Sequence, residues 1–171
     1  EEIEKAKAGE ETSIFLKMNS LTDRQLIDAL KEASQAGVKI KMIIRGICCI
    51  LPGIEGKTDN IEVISVVGRF LEHSRIFCFG TGENMKMYIA SADWMTRNTE
   101  NRVEIAAPIY DQKIKNSIYD TLRIMWKDNL KARILCSDGT YKKPEIKEGD
   151  ELIDCQNYLR HEYKVGRKIK L

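Results

Sequence analysis

The stretch "TSIFLKMNSLTDRQLIDALKEASQAGVKIKMII" (residues 12–44) constrains the fold more than any other part of this chain. "TSIFLKM" (12–18) has the length and composition of a buried strand. "TDRQ" (22–25) forms a capping box, with Thr22 as the cap and Gln25 reaching back to it. Leu26, Ile27, Leu30 and Ala33 then recur at helical spacing, and Gly37 supplies the stop. "VKIKMII" (38–44) alternates and then runs apolar, as a strand does when both of its faces are partly covered. Two strands joined by a capped amphipathic helix call for a sheet with helices packed on it.

The remaining pattern extends that sheet. Residues 1–9 read as the end of a helix stopped at Gly9. "RGICCILPGIEGKTDN" (45–60) is a glycine-rich loop, and "IEVISVV" (61–67) is a further strand. "RIFCF" (75–79) and "MKMYIA" (85–90) form a hairpin around "GTGEN", because turn residues fall between two strand-like runs. "RVEIAAPI" (102–109) reads as another strand. Asp111 caps a helix with the stripe Ile114, Ile118, Leu122 and Met125. "KARILCSDGTYKK" reads as a strand pair or an extended arm. A last helix is expected over about 150–163, with Leu152, Cys155, Leu159 and Tyr163 on one face, followed by the basic tail "KVGRKIKL". The expected class is α/β: a mixed sheet flanked by helices, in one domain over residues 1–171 with a C-terminal helix and tail.

Composition narrows the function. Hydrophobic residues make up 43% and charged residues 32% of 171, the balance of a globular chain. A net charge of +2 is too small to point to nucleic acid or an acidic membrane surface. No apolar run approaches the roughly 20 residues of a membrane span, and the charged start "EEIEKAKAGEE" offers no secretory signal. Five cysteines, an odd number with no CxxC pair, fit a reducing cytoplasmic compartment. The chain begins with Glu rather than Met and is expected to be a segment of a longer one.

Four stretches carry more polar groups than a plain scaffold requires. They are Lys17 and Asn19 in "KMNSLTD"; Arg45 in "MIIRG"; His73 and Arg75 in "GRFLEHSRIF"; and Ser91, Asp93, Arg97, Asn98, Arg102 and Glu104 in "SADWMTRNTENRVE". Ligands of α/β sheets gather outside the strand ends. If these stretches meet there, Lys17, Arg45, Arg75, Arg97 and Arg102 surround one imidazole, a set suited to a polyanion because guanidinium forks match phosphate oxygens. Each residue also has a plainer reading. A histidine at a strand start is commonly structural, and Arg45 alone is a solvated strand end. Trp94 is either a core anchor or a lid. Glu104 either faces solvent or, if it turns inward, needs a cationic partner such as Arg97 or Arg102. His161 lies opposite the apolar stripe of the last helix and is expected to be exposed.

Taken together, "KMNSLTDRQLIDALKEASQAGVKI", "IIRGICCILPG", "GRFLEHSRIF", "SADWMTRN" and "NRVEIAAPI" resemble the polyphosphate kinase family, in its order and spacing, over roughly residues 1–163. The resemblance is to its C-terminal domain, one of two consecutive phospholipase D-like domains. The superfamily motif H-x-K-x4-D is altered here: His73 matches, Arg75 replaces the lysine, and Gly80 replaces the aspartate. Ser91 and Asp93 stand where Ser and Asn would be.

The resemblance implies an ATP:polyphosphate phosphotransferase acting reversibly through a phosphohistidine in the preceding domain, which these residues do not contain. Matching residue by residue, it implies that Arg45 and His73 contact the nucleotide and its phosphates, with His73 as the catalytic group. Lys17, Asn19, Arg75, Ser91, Asp93, Arg97, Asn98, Arg102 and Glu104 are the possible supporting residues. Imidazole suits such a role because it exchanges or donates a proton near neutral pH. Mg²⁺ is expected with ATP, with ligands outside this segment and no metal site within it. Expected partners are ATP, ADP, polyphosphate, the preceding domains and, at full length, further copies of the chain; the segment alone is expected to be inactive. Two alternatives come from other classes: a phospholipase D-like phosphodiesterase or nuclease that completes its site by dimerising, and a non-catalytic binding module.

Overall fold

The computed structural model describes residues 1–164. Three strands, β1 (Ser13–Met18), β2 (Lys39–Ile44) and β3 (Ile61–Ser65), run parallel in that order, and helix α2 (Arg24–Gln35) connects the first two. A short helix α1 (Glu2–Lys7) precedes them. The hairpin β4 (Arg75–Phe79) and β5 (Lys86–Ala90) adds to β1 in the antiparallel sense, and β6 (Ala106–Ile109) closes that side. On the other side, β7 (Arg133–Leu135) and β8 (Tyr141–Lys142) follow β3, giving one eight-stranded sheet in the order β6-β5-β4-β1-β2-β3-β7-β8. Helices α3 (Thr96–Asn101), α4 (Gln112–Trp126) and α5 (Cys155–Lys164) complete the elements.

Successive side chains of a strand point to opposite faces, and here both faces are covered. Ile14, Leu16 and Met18 of β1 join Ile40, Met42 and Ile44 of β2 in a core with Ile27, Leu30 and Ala33 of α2. The opposite face gathers Phe15, Ile43, Ile64, Ile76, Cys78 and Met87 with Leu122 and Met125 of α4 and Cys155 of α5. This double coverage is why β1 and β2 read as apolar runs rather than clean alternations. Burial pushes the Cys78 thiol up to about 12 and raises that of Cys155 as well, so both behave as small apolar residues.

Three local expectations change. Asp23, not Thr22, caps α2: its side chain accepts from Leu26 N, while the Thr22 and Asp23 N–H groups both donate to Trp94 O. Tying these two amides to the loop after β5 moves the helix start by one residue. The run 102–109 is strand only from Ala106: α3 ends at Asn101, residues 102–105 are neither helix nor strand, and Ser91 engages Ile105 just before the pairing begins. The last helix begins at Cys155 rather than about 150. Residues 150–154 are neither helix nor strand and are tied to the turn after α4: the Asn129 and Leu130 N–H groups donate to Ile153 O, and Asp128 Oδ2 accepts from Cys155 N. Leu152 is therefore outside the helix and exposed. The hairpin and the Asp111 cap stand as the sequence suggests, and the strand expected over 61–67 forms over Ile61–Ser65. The basic tail beyond residue 164 lies outside the described residues.

Candidate functional site

The C-terminal ends of β1 and β2 meet the start of β4 and the end of β5 on one rim of the sheet. The register fixes this, pairing Met18 with Ile44, Lys17 with Ile76, and Arg75 with Ala90. The residues that leave those strand ends are Asn19, Arg45, the 72–75 segment and Ser91–Asp93, which brings together stretches far apart in sequence.

Asp93 organises the rim. It is buried, and its Oδ1 accepts from the backbone N–H of Asn19 at 2.6 Å and of Ser20 at 3.3 Å. Asn19 Nδ2 donates to Oδ2 at 3.2 Å. Arg75 grips the same carboxylate with Nε at 3.2 Å and Nη2 at 3.0 Å. Burial alone would raise the Asp93 pKa; the Arg75 fork and the Asn19 donors outweigh it and hold the carboxyl below its ordinary value.

From this hub the network runs two ways. On one side, Asn19 Oδ1 accepts from Arg45 Nε at 2.7 Å, which fixes the guanidinium while Nη1 and Nη2 have no hydrogen-bond partner among the described residues. Gly46 allows this approach. Its N–H donates to Asn19 O at 2.8 Å, and a Cβ built at Gly46 would lie 2.8 Å from that same oxygen. On the other side, Arg75 Nη1 lies 3.0 Å from His73 Nδ1 and 3.0 Å from His73 O. His73 and Arg45 are thus joined through one unbroken set of hydrogen bonds: His73, Arg75, Asp93, Asn19, Arg45.

Lys17 is almost wholly buried, 2% exposed. Its Nζ donates to Ser74 Oγ at 2.8 Å and Ser74 O at 3.1 Å, and pairs with Glu72 at 3.4 Å. Desolvation lowers its pKa, with Glu72 opposing the shift. The positive charge of the rim is therefore smaller than the sequence suggests, since Lys17 is matched by Glu72 and Arg75 by Asp93. Arg97 and Arg102 are exposed, at α3 and its end, and neither makes an ion pair among the described residues. Glu104 bonds Ser91 Oγ rather than an arginine. Asn98 is buried and donates to Asp93 O at 3.0 Å, with its Oδ1 unpartnered among the described residues. Trp94 packs on Phe77 with ring centroids 5.2 Å apart and serves as a core anchor. Gly80 stands at the far end of β4 from His73, with φ +85, a backbone geometry that glycine favours. His161 is exposed on α5.

Beside Arg45 lies a pocket of about 270 Å³ lined also by Gly68, Phe70, Leu71 and Glu72. Among the described residues, no three His, Cys, Asp or Glu side chains are placed to hold a metal, and no helix is long and apolar enough to cross a membrane. Sequence reading missed Glu72 and Ser74, which flank His73, and Gln156, which comes from α5. The first two lie inside the histidine motif; nothing in the spacing of Gln156 marks it.

The family model for "Polyphosphate kinase C-terminal domain 2" matches residues 1–156. The chain belongs to the polyphosphate kinase family. A polyphosphate kinase of Thermosynechococcus vestitus is 51% identical over 149 residues, 87% of this chain and 20% of that protein. One from Bacillus anthracis is 52% identical over 143 residues, 84% of this chain and 20% of that protein. The crystal structure of the polyphosphate kinase from Porphyromonas gingivalis superposes with a TM-score of 0.91 at 39% identity, over 96% of this chain and 25% of that one. The chain thus spans about a fifth to a quarter of the length of these relatives. Nuc of Salmonella typhimurium, a phospholipase D family member, has a TM-score of 0.53 at 16% identity, over 83% of this chain and 89% of that one. That likeness establishes the phospholipase D-like fold.

Proposed function

We propose that this polyphosphate kinase segment is one domain of a longer chain and supplies the nucleotide-holding half of a phosphoryl-transfer site. The reaction is the reversible transfer of the terminal phosphate of ATP to inorganic polyphosphate, through a phosphohistidine in the preceding domain. The observation that carries this reading is the contact between Arg75 Nη1 and His73 Nδ1 at 3.0 Å. A guanidinium only donates, so Nδ1 accepts, and the neutral imidazole keeps its proton on Nε2. In that state His73 is a hydrogen-bond donor toward a phosphate oxygen, not a nucleophile with a free Nε2 lone pair. The phosphorylated imidazole is then assigned to the other domain, with His73 facing it.

Arg45 takes the complementary role. Its Nε is used on Asn19, and its two Nη nitrogens are available for a bidentate hold on phosphate oxygens. Phosphoryl transfer asks mainly for positioning and charge neutralisation, which these two groups supply. The site's carboxylates do not suit a metal: Asp93 is shared among Arg75, Asn19 and Ser20, and Glu72 pairs with Lys17. Mg²⁺ is accordingly assigned to enter with ATP and to find its protein ligands elsewhere in the full-length enzyme. Val67 and Leu71, exposed to 64% and 71%, flank the site and are the surface on which the preceding domain is placed. The enzyme is read as cytoplasmic and oligomeric.

The test is His73→Ala in the complete enzyme. Net transfer should fall sharply while acid-labile phosphate still forms on the upstream histidine. Unchanged transfer would remove His73 from the reaction.

A further inference from the structure

We propose that Gln156, on the C-terminal helix, is a positioning residue that locks the His73 segment in place; this rests on the reading of His73 above. Gln156 lies 84 to 86 positions from the groups it binds and is itself buried. Its Oε1 accepts from Phe70 N at 2.9 Å, and its Nε2 donates to Phe70 O at 2.8 Å. The carboxamide thus satisfies both backbone groups of one residue, as a neighbouring strand would. The same Nε2 donates to Glu72 Oε1 at 2.8 Å.

Glu72 passes this restraint to the site. Its other oxygen meets Lys17 Nζ at 3.4 Å, and Lys17 holds Ser74 through both its hydroxyl and its carbonyl. His73 sits between the two residues so held. The segment from Gly68 to Ser74 has no strand or helix hydrogen bonds of its own, so these side chains supply its restraint. From the other side, the imidazole is set by Arg75. The backbone beneath His73 is therefore clamped between the sheet, through Lys17, and α5, through Gln156.

Gly68 belongs to the same device. A Cβ there would lie 2.5 Å from Gln156 Oε1, so the carboxamide can occupy its place only against glycine. The clash is with the end of a flexible side chain. Gly68→Ala should therefore expel the carboxamide and leave the core intact, breaking the clamp without touching Gln156 itself.

The experiment measures polyphosphate synthesis by the complete enzyme carrying Gln156→Leu, and separately Gly68→Ala, each with and without His73→Ala. Melting temperatures are recorded alongside. Either clamp variant should lower kcat by about tenfold or more, the scale of a displaced catalytic group, with KM for ATP little changed. In the His73→Ala background the same change should alter kcat by less than about twofold, because residues acting through one group are not additive. If Gln156→Leu does not fold, Gly68→Ala alone decides the matter. Unchanged kcat in Gly68→Ala, or an equal fractional loss in both backgrounds, would overturn the positioning role while leaving His73 in the reaction. If His73→Ala alone leaves kcat unchanged, the reading of His73 itself falls, and the positioning role with it.

Discussion

Asp93 meets Arg75 with both carboxylate oxygens, Oδ1 at 3.2 Å from Nε and Oδ2 at 3.0 Å from Nη2. The side chains are 10% and 14% exposed, so the pair lies largely out of water. Removing one partner of such a pair leaves an uncompensated charge. Asp93→Asn should cost about 3 kcal/mol of stability, read as a lower urea midpoint for the chain.

The same carboxyl makes stability depend on pH. Its pKa is depressed in the folded state below the ordinary 3.8. Its contribution is therefore present in full above the unfolded pKa and is lost as pH falls through the folded value. Urea midpoints should drop as pH is taken from about 5 toward 2, and Asp93→Asn should flatten that slope. An unchanged slope would place the acid sensitivity elsewhere.

How much of this was legible in the sequence differs between fold and rim. The strand–helix–strand unit and the hairpin were readable because apolar periodicity and turn residues are local signals. The start of α2 was displaced because Trp94 O, 71 and 72 positions away from the amides it binds, decides which residue caps it. The polar stretches could be named, but not their pairing. Arg75 and Lys17 read as free cations in sequence, and only the fold brings Asp93 and Glu72 to them. Gln156 had no signal, since a glutamine on a helix looks solvated until the backbone it binds is located.

Arg45 is the cation at the rim whose outer nitrogens are unengaged among the described residues. In the complete enzyme Arg45→Ala should reduce kcat/KM for ATP by the equivalent of about 1.5–3 kcal/mol, the worth of a charged hydrogen bond. Arg45→Lys should restore only part of the loss, because an ammonium lacks the fork. Full recovery with lysine would argue against a bidentate hold.

Gly46 tests whether that geometry is built into the backbone. The atom a Cβ would meet at 2.8 Å is a backbone oxygen of Asn19, which cannot swing aside. Gly46→Ala should destabilise the chain by about 1–3 kcal/mol, the cost of local overpacking. It should also weaken nucleotide use by moving Arg45. A variant with native stability and native kinetics would show that the rim tolerates displacement.

The central claim is that this domain contributes His73 as a donor and lacks the nucleophile of its own reaction. The most direct measurement incubates the 171-residue chain, folded by circular dichroism, with γ-labelled ATP and Mg²⁺ beside the complete enzyme. Acid-labile label on protein and labelled polymer are then counted. The account predicts both from the complete enzyme and neither from the chain alone. Label on His73 together with polymer from the chain alone would contradict it, because the domain would then carry its own nucleophile.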